Sequence, residues 1–211
     1  MNQVQNIFVY GSLTEGMVHY GRVQEFVKTI RPATIQAYCY RLPVGYPALI
    51  EPEVASVDAA PSAVISDVPG QVLEIEAREL VFKILDEFHG FNPIQIEKSL
   101  FYKKEVEVLL SEGERLAAHC YFLNPSKLPA QSQALTDGDW MKSLSTQPAL
   151  PHQLSEAQVT YIKRLGASTG REIVPIDLGL YRELMKLELI VDKGRRLALT
   201  KLGKDVYKYL S

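Results

Sequence analysis

Apolar and polar positions alternate along the chain in a way that separates short strands from a few clear helices. Ile7-Phe8-Val9-Tyr10 is a short apolar run stopped by Gly11, as a buried strand entering a turn would be. Val18 to Ile30 predicts a helix, halted near Pro32. Ala33 to Leu42 is β-prone, and Tyr46 to Ile50 follows a turn. Asp67 to Gly70 reads as a turn before a strand over Gln71 to Ile75. The clearest helix follows. Ala77, Leu80, Val81, Ile84, Leu85 and Phe88 recur at spacings of three and four and form one apolar stripe, closed by Gly90. Lys103 to Val108 enters a hairpin that turns at Ser111 to Glu114 and returns over Leu116 to Leu123.

Residues 124–152, rich in Pro, Ser, Gln and Asp, predict a surface loop and a linker. Beyond them the pattern restarts. Ser155 with Gln158 forms a capping box, and Leu154 with Val159 is placed for a hydrophobic staple. A helix from Leu178 to Leu189 is capped by Asp177. A short hairpin follows, turning at Asp192-Lys193-Gly194, and Thr200 caps a last helix through Leu210. The expected organisation is therefore a strand-rich module over residues 1–150 and a smaller one over residues 151–211. Charge supports the division. The first carries a net −6 and the second +4, within a total of −2.

The length suits one or two domains with a proper core, and no membrane-length apolar run occurs. Met1 to Asn6 lacks the basic-then-apolar pattern of a secretory signal. Cys39 and Cys120 sit in apolar stretches without metal-ligand spacing, so buried thiols of a cytoplasmic protein are expected. His19, His119 and His152 share no metal spacing, and neither a metal nor another cofactor is expected.

Five segments, in order, resemble the γ-glutamylcyclotransferase-like (avirulence-induced-gene-2-like) family: Phe8 to Leu13, Gly45-Tyr46-Pro47-Ala48, Leu85 to Gly90, Tyr102 with Val106 and Val108, and Gly138-Asp139-Trp140. The resemblance covers most of residues 5–145. It implies an α+β fold, a small mixed β-barrel with flanking helices around a polar pocket. It also implies cyclisation of γ-glutamyl amides, in which the substrate's own α-amine attacks its γ-carbonyl and releases 5-oxoproline and an amine. The enzyme then has mainly to fold the substrate and manage protons. On this resemblance Tyr10, Gly11, Ser12 and Leu13 bind substrate through the turn's N–H groups, and Tyr102 lines the pocket. The family's catalytic glutamate, which precedes the glycine, is His89 here.

That change leaves two readings. In one, His89 is the base, with Glu87 as fallback; imidazole titrates near neutral pH but offers no negative charge to the ammonium. In the other, the pocket persists without the reaction, and the protein binds a γ-glutamyl-type ligand as a sensor or regulator. Glu87 lies two residues from His89, on nearly the opposite helix face. Residues Tyr181 to Leu210 resemble the last part of a winged-helix domain, in which Arg182, Lys186, Lys193, Arg195 and Arg196 meet phosphates. A net +4 is modest for a DNA binder. Protein contact, a homodimer or packing within the chain is expected ahead of nucleic acid as this module's role.

Overall fold

A computed structural model describes residues 5–53, 64–168 and 173–210. Most of the Met1–Asn6 segment lies outside the described residues. The described residues divide into two compact units. One comprises residues up to Leu42 and Tyr46–Ser143, the other Pro43–Gly45 and the chain from Leu144 onward.

The first unit is built on seven strands: β1 (Asn6–Val9), β2 (Val27–Arg41), β3 (Pro47–Ile50), β4 (Ile65–Ile75), β5 (Phe101–Leu110), β6 (Arg115–Leu123) and β7 (Gln133–Ala134). Five of them close a barrel in the order β2-β4-β1-β6-β5, with β5 returning to β2 through Ala33↔Leu110 and Thr34↔Leu109. The β1–β6 pair is parallel and the other pairs are antiparallel, so the barrel is mixed. Strands β3 and β7 pair with β2 beyond the closure. The fold is α+β, a small barrel with flanking helices.

Alternation along the strands sets two faces. Helix α1 (Arg78–His89) packs Val81, Phe82 and Leu85 against Ile7, Val9, Leu73, Ile75 and Tyr121. Phe8, Val72, Cys120 and Phe122 have the opposite parity and are also buried. Gly90, at φ +63°, ends α1, its N–H bonding the carbonyls of Asp86 and Glu87, as a left-handed glycine does at a helix C-terminus. A polar clamp fixes the helix to the barrel. Asp86 accepts the Tyr121 hydroxyl at 2.5 Å and the Lys103 ammonium at 2.9 and 3.1 Å. Lys103 also lies 4.2 Å from the centre of the Phe82 ring. Burial first, and then Asp86, push the Tyr121 phenol far above its usual range, so it stays a donor.

Three expectations are corrected here. Val18 to Ile30 is not a helix. Two 3-10 turns, Tyr20–Arg22 and Gln24–Phe26, lead into β2 at Val27. The β-branched run Val27, Thr29, Ile30 resists helix, and pairing of Thr29 with Glu74 and Ile30 with Leu73 claims it for the barrel. Asp67–Gly70 is no turn but the middle of β4. This part of β4 pairs with β2 alone, where a proline is tolerated, and Gly70 leaves room for the Phe8 ring and the Val9 carbonyl, which a Cβ would strike. Residues 124–152 are not wholly loop. They hold a 3-10 turn at Pro125–Lys127, β7, helix α2 (Trp140–Thr146), within which the chain passes to the second unit, and a 3-10 turn at Leu150–Gln153.

The second unit orders as α3 (Glu156–Ala167), α4 (Leu178–Lys186), a β8–β9 hairpin (Ile190–Asp192, Leu197–Leu199) and α5 (Lys201–Leu210). The Ser155–Gln158 capping box forms in both directions. Asp177 caps α4 at 2.9 Å and Thr200 caps α5 at 3.0 Å. Helix α4 stops three residues before Leu189 because Glu188 takes φ +56°. The core joins Tyr161, Ile162 and Leu165 of α3 with Leu184, Ile190 and Val206. Ile173 to Asp177 form neither helix nor strand. Among the described residues no helix is long and apolar enough to cross a membrane.

Two outcomes follow from the packing of α1. Asp86→Asn leaves the half-buried Lys103 ammonium without its counter-charge, and urea unfolding should show a loss of about 1–3 kcal/mol. His119, on β6, packs edge-on against Phe82 at 4.8 Å, and its Nε2 is buried without a hydrogen-bond partner. Burial, then Arg78, hold its pKa below the usual value. The unfolded chain therefore binds this proton more readily. Stability from this group is complete above about pH 6.5 and falls as pH drops toward the depressed folded value. In His119→Phe, unfolding midpoints between about pH 7 and 5 should fall less steeply than in the wild type.

Candidate functional site

The site begins at the end of β1. Tyr10 is extended, and Gly11–Leu13 form one 3-10 turn with Gly11 at φ +68°. Glycine is required twice over. Its backbone is left-handed, and a Cβ there would collide with the Pro47 ring and stand 3.7 Å from Trp140. Three motif segments distant in sequence, at Gly11, Pro47 and Trp140, thus meet at one point.

The turn is tied down from both sides. The Gly11 carbonyl accepts the Thr14 hydroxyl at 2.7 Å and the Thr14 N–H at 3.2 Å. Ser12 Oγ lies 2.9 Å from His19 Nδ1, and the His19 N–H donates to the Ser12 carbonyl at 2.9 Å. His19 is itself buried, its ring 4.9 Å from that of Phe88. The Tyr10 hydroxyl donates to the Tyr121 carbonyl at 2.8 Å and accepts the Leu49 N–H at 3.4 Å. Burial raises its pKa well above normal, so Tyr10 is a neutral strut between strands. The first N–H groups of a helical turn have no partner within it, and here these belong to Gly11 and Ser12.

His89 is the last residue of α1 and is buried. Its ring lies flat on Tyr121, with centres 4.0 Å apart and planes 4° from parallel. Phe88 and Phe101 meet it edge-on at 5.0 and 5.3 Å. Nδ1 lies 2.9 Å from the Leu85 carbonyl, an acceptor, so Nδ1 carries the hydrogen and Nε2 is the basic nitrogen of the neutral ring. The α1 end and the turn do converge. Tyr10, Leu13, His89 and Tyr121 line one cavity with Ile7, Phe8, Val9 and Leu85. Its volume is about 10 Å³, and no lining residue is a carboxylate.

The other expected residues lie elsewhere. Glu87 is exposed on α1 and does not line this cavity. Tyr102 points to the opposite face of β5, where its hydroxyl donates to Glu51 at 3.1 Å and its ring stacks on Phe122. Phe101, one residue earlier, takes the place beside His89. Sequence reasoning missed Phe101, Tyr121 and His19. Strand parity offered a signal for the first two, since Lys103 pairs with Tyr121 and Phe101 shares their face. Cys39 and Cys120 are free and buried, and burial pushes the Cys39 thiol up to about 12. Among the described residues no three His, Cys, Asp or Glu side chains gather as metal ligands would.

No curated protein sequence matches the chain. Among solved structures, YkqA from Bacillus subtilis is 19% identical, with a TM-score of 0.46 over 67% of this chain, which spans 41% of that protein. An AIG2-like protein from Mus musculus is 16% identical, with a TM-score of 0.42 over 60% of this chain and 80% of its own. A protein of Arabidopsis thaliana is 18% identical, with a TM-score of 0.44 over 84% and 95%. None of these likenesses carries the assignment. That rests on the family model for gamma-glutamyl cyclotransferase, AIG2-like proteins, which matches residues 7–142, more than half of the chain. With that match, and with the motif segments meeting at Gly11 on a closed mixed barrel, the chain belongs to the γ-glutamylcyclotransferase, AIG2-like family.

Proposed function

We propose that this chain is a catalytically degenerate family member, a binding or regulatory protein in which γ-glutamyl cyclisation no longer runs. The observation that carries this reading is the volume between the turn and the α1 end. About 10 Å³ holds roughly one water. Sites that enclose a small molecule run to roughly 300–1,000 Å³. The His89–Tyr121 stack occupies the space where a substrate amine would meet its base. The reaction also needs a group that draws in an ammonium and takes its proton. A carboxylate does both; a neutral imidazole hydrogen-bonded to Leu85 does only the second.

The test is direct. Purified protein incubated with γ-glutamyl amides should release no 5-oxoproline above the protein-free rate. His89→Glu should gain some release, because it supplies the carboxylate and takes away the ring that stacks on Tyr121. Release by the wild type that disappears in His89→Ala would overturn the reading and make His89 the base.

For the second unit we infer protein contact or packing ahead of nucleic acid. Arg182, Lys186, Lys193, Arg195 and Arg196 are exposed, but Glu183, Glu188 and Asp192 are exposed among them. Such a mixed surface holds phosphates weakly. The full chain should pass unretained through a duplex-DNA column at low salt; retention that falls steeply with salt would reverse this inference.

A further inference from the structure

The barrel's closing seam is short. Strands β2 and β5 join through two residue pairs, and beside that seam lies a cavity of about 360 Å³. Ile35, Val106 and Phe122 supply apolar walls, and Glu51, Glu53 and Glu107 line it as well. This is not the space between the turn and α1. Tyr102, Lys104 and Val106 stand on the face of β5 opposite to Phe101 and Lys103.

Glu51 decides what the cavity suits. Its side chain is 8% exposed, and a carboxylate so far from water needs charged or hydrogen-bonding partners. Oε2 accepts the Tyr102 hydroxyl at 3.1 Å, while Oε1 is met by the Lys104 ammonium. Lys104 comes from solvent, 42% exposed, and reaches Glu53 at 3.4 Å too. Burial and Glu51 keep the Tyr102 phenol protonated, a fixed donor. The three other ionic groups of the lining answer one another or a neighbour: Arg115 pairs with Glu107 at 2.6 Å, and Asp67 accepts the Gln36 amide. The buried carboxylate is therefore balanced by one ammonium that faces water. A guest ammonium can take that position while Lys104 swings back to water at little cost. An acid guest would face Glu51, Glu53 and Glu107.

We propose that the seam cavity is a binding site for a small aliphatic amine, its ammonium on Glu51 and its stem along Ile35, Val106 and Phe122. The volume is at the lower end of small-molecule sites, which fits a short chain rather than a nucleotide. The site is independent of whether the family reaction survives.

The probe is 1,5-diaminopentane, with pentanoate as the acid counterpart, titrated into the isotopically labelled full chain. The Val106 and Val108 methyl signals should shift and saturate with a Kd on the order of 1 mM, and pentanoate should leave them unmoved. Glu51→Gln should weaken binding about tenfold, and the exposed Glu79→Gln on α1 should change nothing. If Glu51→Gln does not fold, Val106→Phe, which fills the cavity and keeps Glu51, should abolish binding. Shifts confined to residues around His89, equal shifts with pentanoate, unchanged affinity in Glu51→Gln, or binding retained in Val106→Phe would each overturn the proposal.

Discussion

Successive side chains of a strand point to opposite faces, and in β5 and β6 that alternation assigns nearly every residue of consequence. Phe101, Lys103 and Tyr121 turn toward α1. They give His89 its stack and edge contact, and Asp86 its partners. Tyr102, Lys104 and Phe122 turn the other way, toward Glu51 and the seam. The Lys103↔Tyr121 pairing fixes which set is which. A slip of one residue would exchange the two sets, put Tyr102 beside His89 and strip Glu51 of its donor. The register of this single hairpin holds both the packing around His89 and the lining of the seam cavity in place.

Much of this was legible in the chain. The α1 helix and its closing glycine, the 111–114 turn, the Ser155–Gln158 box and the caps at Asp177 and Thr200 are local signals, although Leu80 of the expected stripe is exposed and Phe82, outside it, is buried. Each depends on residues within one turn of one another. The convergence of Gly11 with Pro47 and Trp140 was legible only through the family resemblance, since nothing local links residues so far apart. Residues 18–30 and 67–70 misled for the opposite reason. Their local preferences, an apolar periodicity and an Asp-Val-Pro-Gly run, were overridden by pairing across the barrel. Tyr102, expected to line the pocket, stands one position out of parity with Phe101, which is the residue beside His89. The seam cavity was beyond reach, because it depends on where β2 and β5 cease to pair.

On the proposed reading, a histidine where the family resemblance implies a glutamate is more than the loss of a charge. A carboxylate in a greasy enclosure requires donors and water around it. The imidazole of His89 has its Nδ1–H taken up by the Leu85 carbonyl, and its ring is covered by those of Tyr121, Phe88 and Phe101. With His89 in place, the helix end and the barrel wall meet as an ordinary core does, sealed by packing. Glu51, just past β3, lies with Tyr102 and Lys104 of β5 on the other side of the wall.

The glycine of the turn carries a wider lesson. Gly11 is enforced by its left-handed backbone and by the proline ring pressed against it, neither of which involves a substrate. Architecture alone would preserve that residue through any drift in the helix that faces it. A scan that rewards the Tyr-Gly-Ser-Leu signature therefore recognises scaffolds, and sorting working catalysts from silent ones requires looking at what the scaffold encloses.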